Sequence, residues 1–208
     1  MTTPLQITVL GASGATGLHL VRQALDRGHT VVAVARRPER IDIGDQPRLL
    51  RRAADVTDPR SVAEALHDSP VVVSGLGVVG KEQGGVLTAG ARAVIAAQPA
   101  RMVWLGAFGT GPSAAAAGPL TRGLLRVVLR AEIKDKVRAD TLVLAAGGTV
   151  VHAGPLSNRP GSASPRAVAL DEVPRRLLPA SISRATVAAI MLDAAESGTG
   201  GVIVPLGG

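Results

Sequence analysis

The residues best suited to chemistry lie near the start of the chain, in Gly11-Ala12-Ser13-Gly14-Ala15-Thr16-Gly17. A short apolar run precedes this G-x-x-G-x-x-G spacing, and a run of helical periodicity follows it. Glycines there serve three purposes: a tight turn at Gly11, close backbone approach to a pyrophosphate at Gly14, and close helix–strand packing at Gly17. The following helix turns unpaired N–H groups and a positive dipole end toward the phosphates. Ser13 and Thr16 add hydroxyls, and Ala15 keeps the turn small. Nineteen positions beyond Gly17, Arg36-Arg37 stands where an NAD site keeps a carboxylate for the ribose hydroxyls. A guanidinium pair suits a ribose 2′-phosphate instead, so the expected cofactor is NADP(H).

Further candidates follow the later apolar runs. Asp55-Val56-Thr57-Asp58 offers an acid and an apolar neighbour to flank an adenine, and Asp58 before Pro59 also reads as a helix N-cap. Gly75-Leu76-Gly77 either admits the cofactor's central ribose or forms a tight turn. His152 is either a proton donor or a hydrogen-bonded histidine of a core strand. Glu132 and Lys136, four apart on one helical face, are either site residues or a surface ion pair. His19, His29 and His67 show no metal-ligand spacing and are expected to be exposed. No metal site is expected.

These residues need elements to hold them, and the periodicity supplies an alternation. Strands are predicted at Gln6–Leu10, Thr30–Ala35, Arg48–Arg52, Val71–Ser74, Met102–Leu105, Thr149–Ala153 and Val202–Val204. Helices are predicted at Gly14–Arg27, Pro59–His67, Val86–Ala97 and Thr186–Glu196, with one or two more across Leu120–Ala146. Strands alternating with helices imply an α/β, Rossmann-type doubly wound sheet, mainly parallel, with helices on both faces. Ligands bind outside the carboxyl ends of such strands. The Pro- and Ser-rich stretch within residues 155–180 is expected to be irregular, forming a small C-terminal lobe on the substrate side.

Composition narrows the classes. A length of 208 residues suits one domain, here 1–208. The absence of Cys excludes thiolate metal sites and disulfides, and the absence of Tyr excludes a tyrosine acid. The net charge of +7 raises a nucleic-acid partner. Its basic residues are spread out, however, and only Trp104 and Phe108 are aromatic, so no stacking platform exists. No apolar run reaches about 18 residues, and no signal peptide is expected at the start of the chain. The expectation is a cytoplasmic monomer or homodimer with a small-molecule acceptor, and neither a membrane nor a nucleic-acid partner.

The glycine turn, the Arg pair, Asp55–Asp58 and the segment His152-Ala153-Gly154-Pro155-Leu156-Ser157-Asn158-Arg159-Pro160 together resemble the atypical short-chain dehydrogenase/reductases with an NAD(P)H-binding fold. That family includes biliverdin/flavin reductase-like proteins and nitrogen-regulator-like cofactor sensors. Ile182–Ala188 resembles the opening of its final helix, and Lys136–Asp140 the helix carrying a cofactor-facing lysine. The resemblance implies that Lys136 contacts the cofactor and that Gly106, Ala107, Pro155 and Leu156 border it. It also marks departures. The proton-donating tyrosine of typical members falls on Glu132, the strand-ending serine on Gly106 or Ala107, and the arginine before Pro-Gly on His152. The cofactor half is complete and the acid pair is missing. The expected function is NADPH-dependent hydride transfer to a conjugated or aromatic acceptor, flavin- or quinone-like. The alternative is a non-catalytic NADP sensor that contacts a protein partner.

Overall fold

The computed structural model describes residues 3–77, 84–114, 130–173 and 180–206, with the backbone alone at 130–132. Its order is β1 (Gln6–Leu10), α1 (Ala15–Asp26), β2 (Thr30–Ala35), β3 (Leu49–Ala53), α2 (Pro59–Ala65), β4 (Val71–Ser74), α3 (Val86–Ala96) and β5 (Arg101–Ala107). Then follow α4 (Arg130–Ala145), β6 (Thr149–Ala153), β7 (Leu156–Ser157), β8 (Arg166–Ala169), β9 (Ile182–Ser183), α5 (Arg184–Ser197) and β10 (Gly201–Leu206).

Eight strands form one sheet in the order β3-β2-β1-β4-β5-β6-β10-β8. All its pairings are parallel except that of β8 with β10. The chain runs outward from β1 through β3, then returns to lay β4 on the other side of β1. That reversal opens a crevice at the carboxyl ends of β1 and β4. The central strands are apolar on both faces because both are covered. On one face α1 and α5 bury Leu20, Val21, Val187 and Met191 against Ile7, Val9, Val103 and Leu105. On the other, α2, α3 and α4 bury Val62, Leu87, Val94, Ala139 and Val143 against Val72, Trp104 and Val150.

Local chemistry sets the helix ends. Gly28 follows α1 at φ +89°, a left-handed conformation that favours glycine. Asp58 caps α2 by accepting from Arg60 N, and Ser183 caps α5 by accepting from Thr186 N.

Two expectations need correction. The region 155–180 is not simply irregular: β7 pairs with β9, and β8 joins the main sheet as an antiparallel edge. The Arg166–Ala169 run is short and exposed, so it carries no apolar alternation to announce a strand. Residues 174–179 and the first part of the predicted Leu120–Ala146 helix lie outside the described residues. His29, expected to be exposed, is fully buried. Its Nδ1 accepts from Leu5 N (3.1 Å) and its Nε2 donates to Glu196 Oε1 (3.0 Å), a long-range fixture between β1 and α5.

Candidate cofactor and acceptor site

The glycine turn closes β1 and opens α1 at the crevice. Gly11 has φ +72° and packs against the Gly75–Leu76 backbone, where an added Cβ would stand 3.2 Å from Leu76. Gly17 has no room at all, since a Cβ there would lie 2.1 Å from Gly11 O. This glycine brings helix and strand together. Gly14 differs, because a Cβ there would meet only Gly11 O, at 3.2 Å. Gly14 and Ala15 are exposed, Ser13 is half-buried, and Thr16 is buried.

Among the described residues no side chain caps α1, and its first turn holds no acidic residue. The N-terminus of α3 is treated in the opposite way. Asp135, reaching across from α4, accepts from Leu87 N and Thr88 N at 3.0 Å each. One helix start is plugged by a carboxylate of the protein, while the other stays exposed at the crevice. The α1 turn thus fits the pyrophosphate of a dinucleotide, with backbone donors and, among the described residues, no side chain capping them.

Arg36 and Arg37 follow β2 and are exposed. Asp55, after β3, is held below the usual carboxylate range by the backbone N–H and then the hydroxyl of Thr57, with Arg36 adding its charge. Its Oδ1 accepts from Thr57 N (2.9 Å) and Thr57 Oγ1 (2.7 Å), a local turn. The Val56 side chain lies in the core beside α3 rather than on the surface. Gly75 is half-buried and Leu76 packs partly on that core, whereas Gly77 is exposed with nothing near a Cβ.

At the carboxyl end of β5, Lys136 Nζ, reaching from α4, donates to Leu105 O at 3.3 Å. The side chain of Glu132 lies outside what is described. Gly106 faces His152 across the β5–β6 register. A Cβ on Gly106 would stand 2.4 Å from the imidazole Cδ2. The space beside Gly106 is therefore filled by a ring from the next strand. His152 is fully buried, with Nδ1 2.7 Å from Ser113 Oγ and Nε2 3.2 Å from Asp140 Oδ2. Both ring nitrogens are engaged inside the protein.

Ser113 and Asp140 escaped sequence reasoning because nothing near either marks it; only their convergence on His152 does. Ala107 is half-buried, and Phe108 N donates to Ala153 O (2.8 Å). Pro155 is exposed and Leu156 half-buried on β7, so these residues border the same end of the sheet. Among the described residues no group of three His, Asp or Glu side chains could hold a metal, and no helix is long and apolar enough to cross a membrane.

This fold and crevice define a dinucleotide-binding α/β protein. Residues 11–197 match the family described as NAD(P)H-binding, and the chain belongs to that family. Its fold is shared with a short-chain dehydrogenase/reductase from Veillonella parvula solved with NADP (18% identity, TM-score 0.75, covering 99% of this chain and 95% of that one). It is shared also with ChuY, an anaerobillin reductase from Escherichia coli O157:H7 (18%, 0.76, 98% and 97%). A third is a Streptococcus pneumoniae protein provisionally named an NADH-flavin reductase (16%, 0.77, 98% and 99%). At these identities the likeness establishes the fold. No curated protein matches the chain by sequence.

Proposed function

We propose that this protein is an NADPH-dependent reductase that delivers hydride to a small conjugated acceptor of flavin or quinone type. The observation that carries the reading is the α1 N-terminus, uncapped and bordered by exposed Gly14 and Ala15, with Arg36 and Arg37 exposed after the neighbouring strand. The turn 11–17 holds the pyrophosphate, and the two guanidinium groups take the 2′-phosphate. Lys136, steadied by Leu105 O, holds the nicotinamide ribose. When bound, the reduced nicotinamide supplies the hydride, and the protein supplies position and electrostatics.

The acceptor class follows from what the β5 end lacks. The chain has no Tyr, and the imidazole of His152 occupies the space beside Gly106. Reduction of a simple ketone builds alkoxide charge, for which a positioned acid contributes about 10²–10⁴-fold. A flavin or quinone delocalises that charge and takes its proton from solvent. Ala107, Phe108, Pro155 and Leu156 border the acceptor. The same missing acid pair favours a second reading, a cofactor sensor without turnover. Both are tested by following NADPH absorbance with purified protein and a panel of flavins, quinones and aliphatic ketones. Flavin or quinone turnover with little ketone turnover is expected; tight NADPH binding without any turnover favours the sensor.

A further inference from the structure

The group of buried polar side chains least explained by cofactor binding is Asp140, His152 and Ser113. All three are fully buried, and Asp140 Oδ1 has no hydrogen-bond partner among the described residues. A buried carboxylate so incompletely satisfied is costly, and apolar residues of similar volume would serve stability at least as well. The group sits at one place, under the carboxyl ends of β5 and β6. From there it reaches the loop after β5, and directional hydrogen bonds can hold a loop in a single geometry where apolar packing holds it less strictly.

The loop's own bonds converge on Ser113. Its Oγ accepts from Gly109 N (2.8 Å), lies 3.0 Å from Thr110 O as a donor, and meets His152 Nδ1 at 2.7 Å. A hydroxyl has one proton and two lone pairs. If that proton goes to Thr110 O, Nδ1 must donate to Ser113; if it goes to Nδ1, Thr110 O loses this partner. In both arrangements the hydroxyl stays bound to His152 and to Gly109 N, and its full burial keeps it from a substrate. Ser113 therefore acts on the loop. Thr110 Oγ1 in turn donates to Ala107 O (2.8 Å), carrying the restraint back to the residues that border the acceptor.

We propose that Asp140, His152 and Ser113 form a positioning clamp that fixes the Ala107–Ser113 loop as the wall of the acceptor subsite. Asp140 orients the imidazole, the imidazole holds Ser113, and Ser113 holds Gly109 and Thr110. The clamp sets acceptor binding and leaves dinucleotide affinity nearly unchanged, because the glycine turn and Arg36–Arg37 belong to β1, α1 and β2, and Lys136 is held by Leu105 O rather than by the clamp. This proposal rests on the reductase reading for the identity of the acceptor side, but its test does not require turnover.

The test uses Ser113→Ala, His152→Ala and the double variant, with FMN as probe. FMN affinity is measured on NADP⁺-loaded protein by fluorescence quenching, NADP⁺ affinity by calorimetry, and NADPH oxidation with FMN where it occurs. Each single variant is expected to weaken FMN about tenfold with NADP⁺ affinity within twofold, and the double variant to fall no further than the weaker-binding single. Unchanged FMN affinity, or equal losses for FMN and NADP⁺, would overturn the clamp. If the unaltered protein binds FMN without reducing it and the variants weaken that binding, the clamp stands and the reductase reading falls. If the unaltered protein neither binds nor reduces FMN, the clamp falls with it.

Discussion

In the proposed cofactor half of the crevice the turn from Gly11 to Gly17 presents backbone, whereas in the proposed acceptor half Asp140, His152 and Ser113 join through buried side chains. The first needs no side chain because a phosphate is recognised by N–H groups and a helix dipole, which any sequence that leaves room can supply. The second needs three residues from α4, β6 and the loop after β5, brought together by the sheet. The sequence carries the same contrast in part: the glycine turn is present, and the chain has no Tyr.

The comparison is broken most drastically at Gly17. Gly17→Val drives a branched side chain into Gly11 O and Ala12 Cα, which an ideal Cβ alone would approach to 2.1 and 2.8 Å. A loss of more than about 4 kcal/mol is expected, read as failure to unfold cooperatively in a thermal melt. Gly14→Val meets only one neighbour and should keep the fold. Calorimetry should then find dinucleotide binding lost, and near-normal binding would make the glycine turn a packing device only.

Asp135→Ala sharpens the contrast between the two helix starts. It leaves the buried N–H groups of Leu87 and Thr88 unpartnered, and a loss of about 1–3 kcal/mol in denaturant unfolding is expected. The smallest effect lies far from the crevice, at Glu196. Burial pushes its carboxyl up, but hydrogen bonds from Arg27 and then His29 outweigh burial and hold it below the usual range. Its folded-state pKa is depressed, so its contribution is complete above the unfolded value. That contribution is lost as pH falls through the folded one. Glu196→Gln should flatten the acid limb of the stability–pH curve, by about 0.2–1 kcal/mol after allowance for solvent screening.

What could be read from the sequence follows the same division. The strands β1, β2, β4 and β6 have the predicted bounds because a strand covered on both faces is a continuous apolar run. The tight turn at Gly11 and the close packing at Gly17 were legible because spacing within one turn is local information. His29 was misread since nothing in Arg-Gly-His-Thr foretells Glu196 arriving from the last helix. Ser113 and Asp140 stayed hidden for the same reason, being separated from His152 by 39 and 12 residues. β8 was missed because an exposed edge strand buries too little to pattern its sequence.

Whether the cofactor half is built for NADPH is decided by titrating NADPH and NADH into the unaltered protein and into the Arg36→Ala/Arg37→Ala variant. Tighter NADPH binding by the unaltered protein is expected. The variant should lose about 1.5–3 kcal/mol for NADPH, the scale of charge-assisted hydrogen bonds, with NADH almost unmoved, as the 2′-phosphate assignment requires. Equal losses for the two dinucleotides, or no preference to begin with, would contradict it.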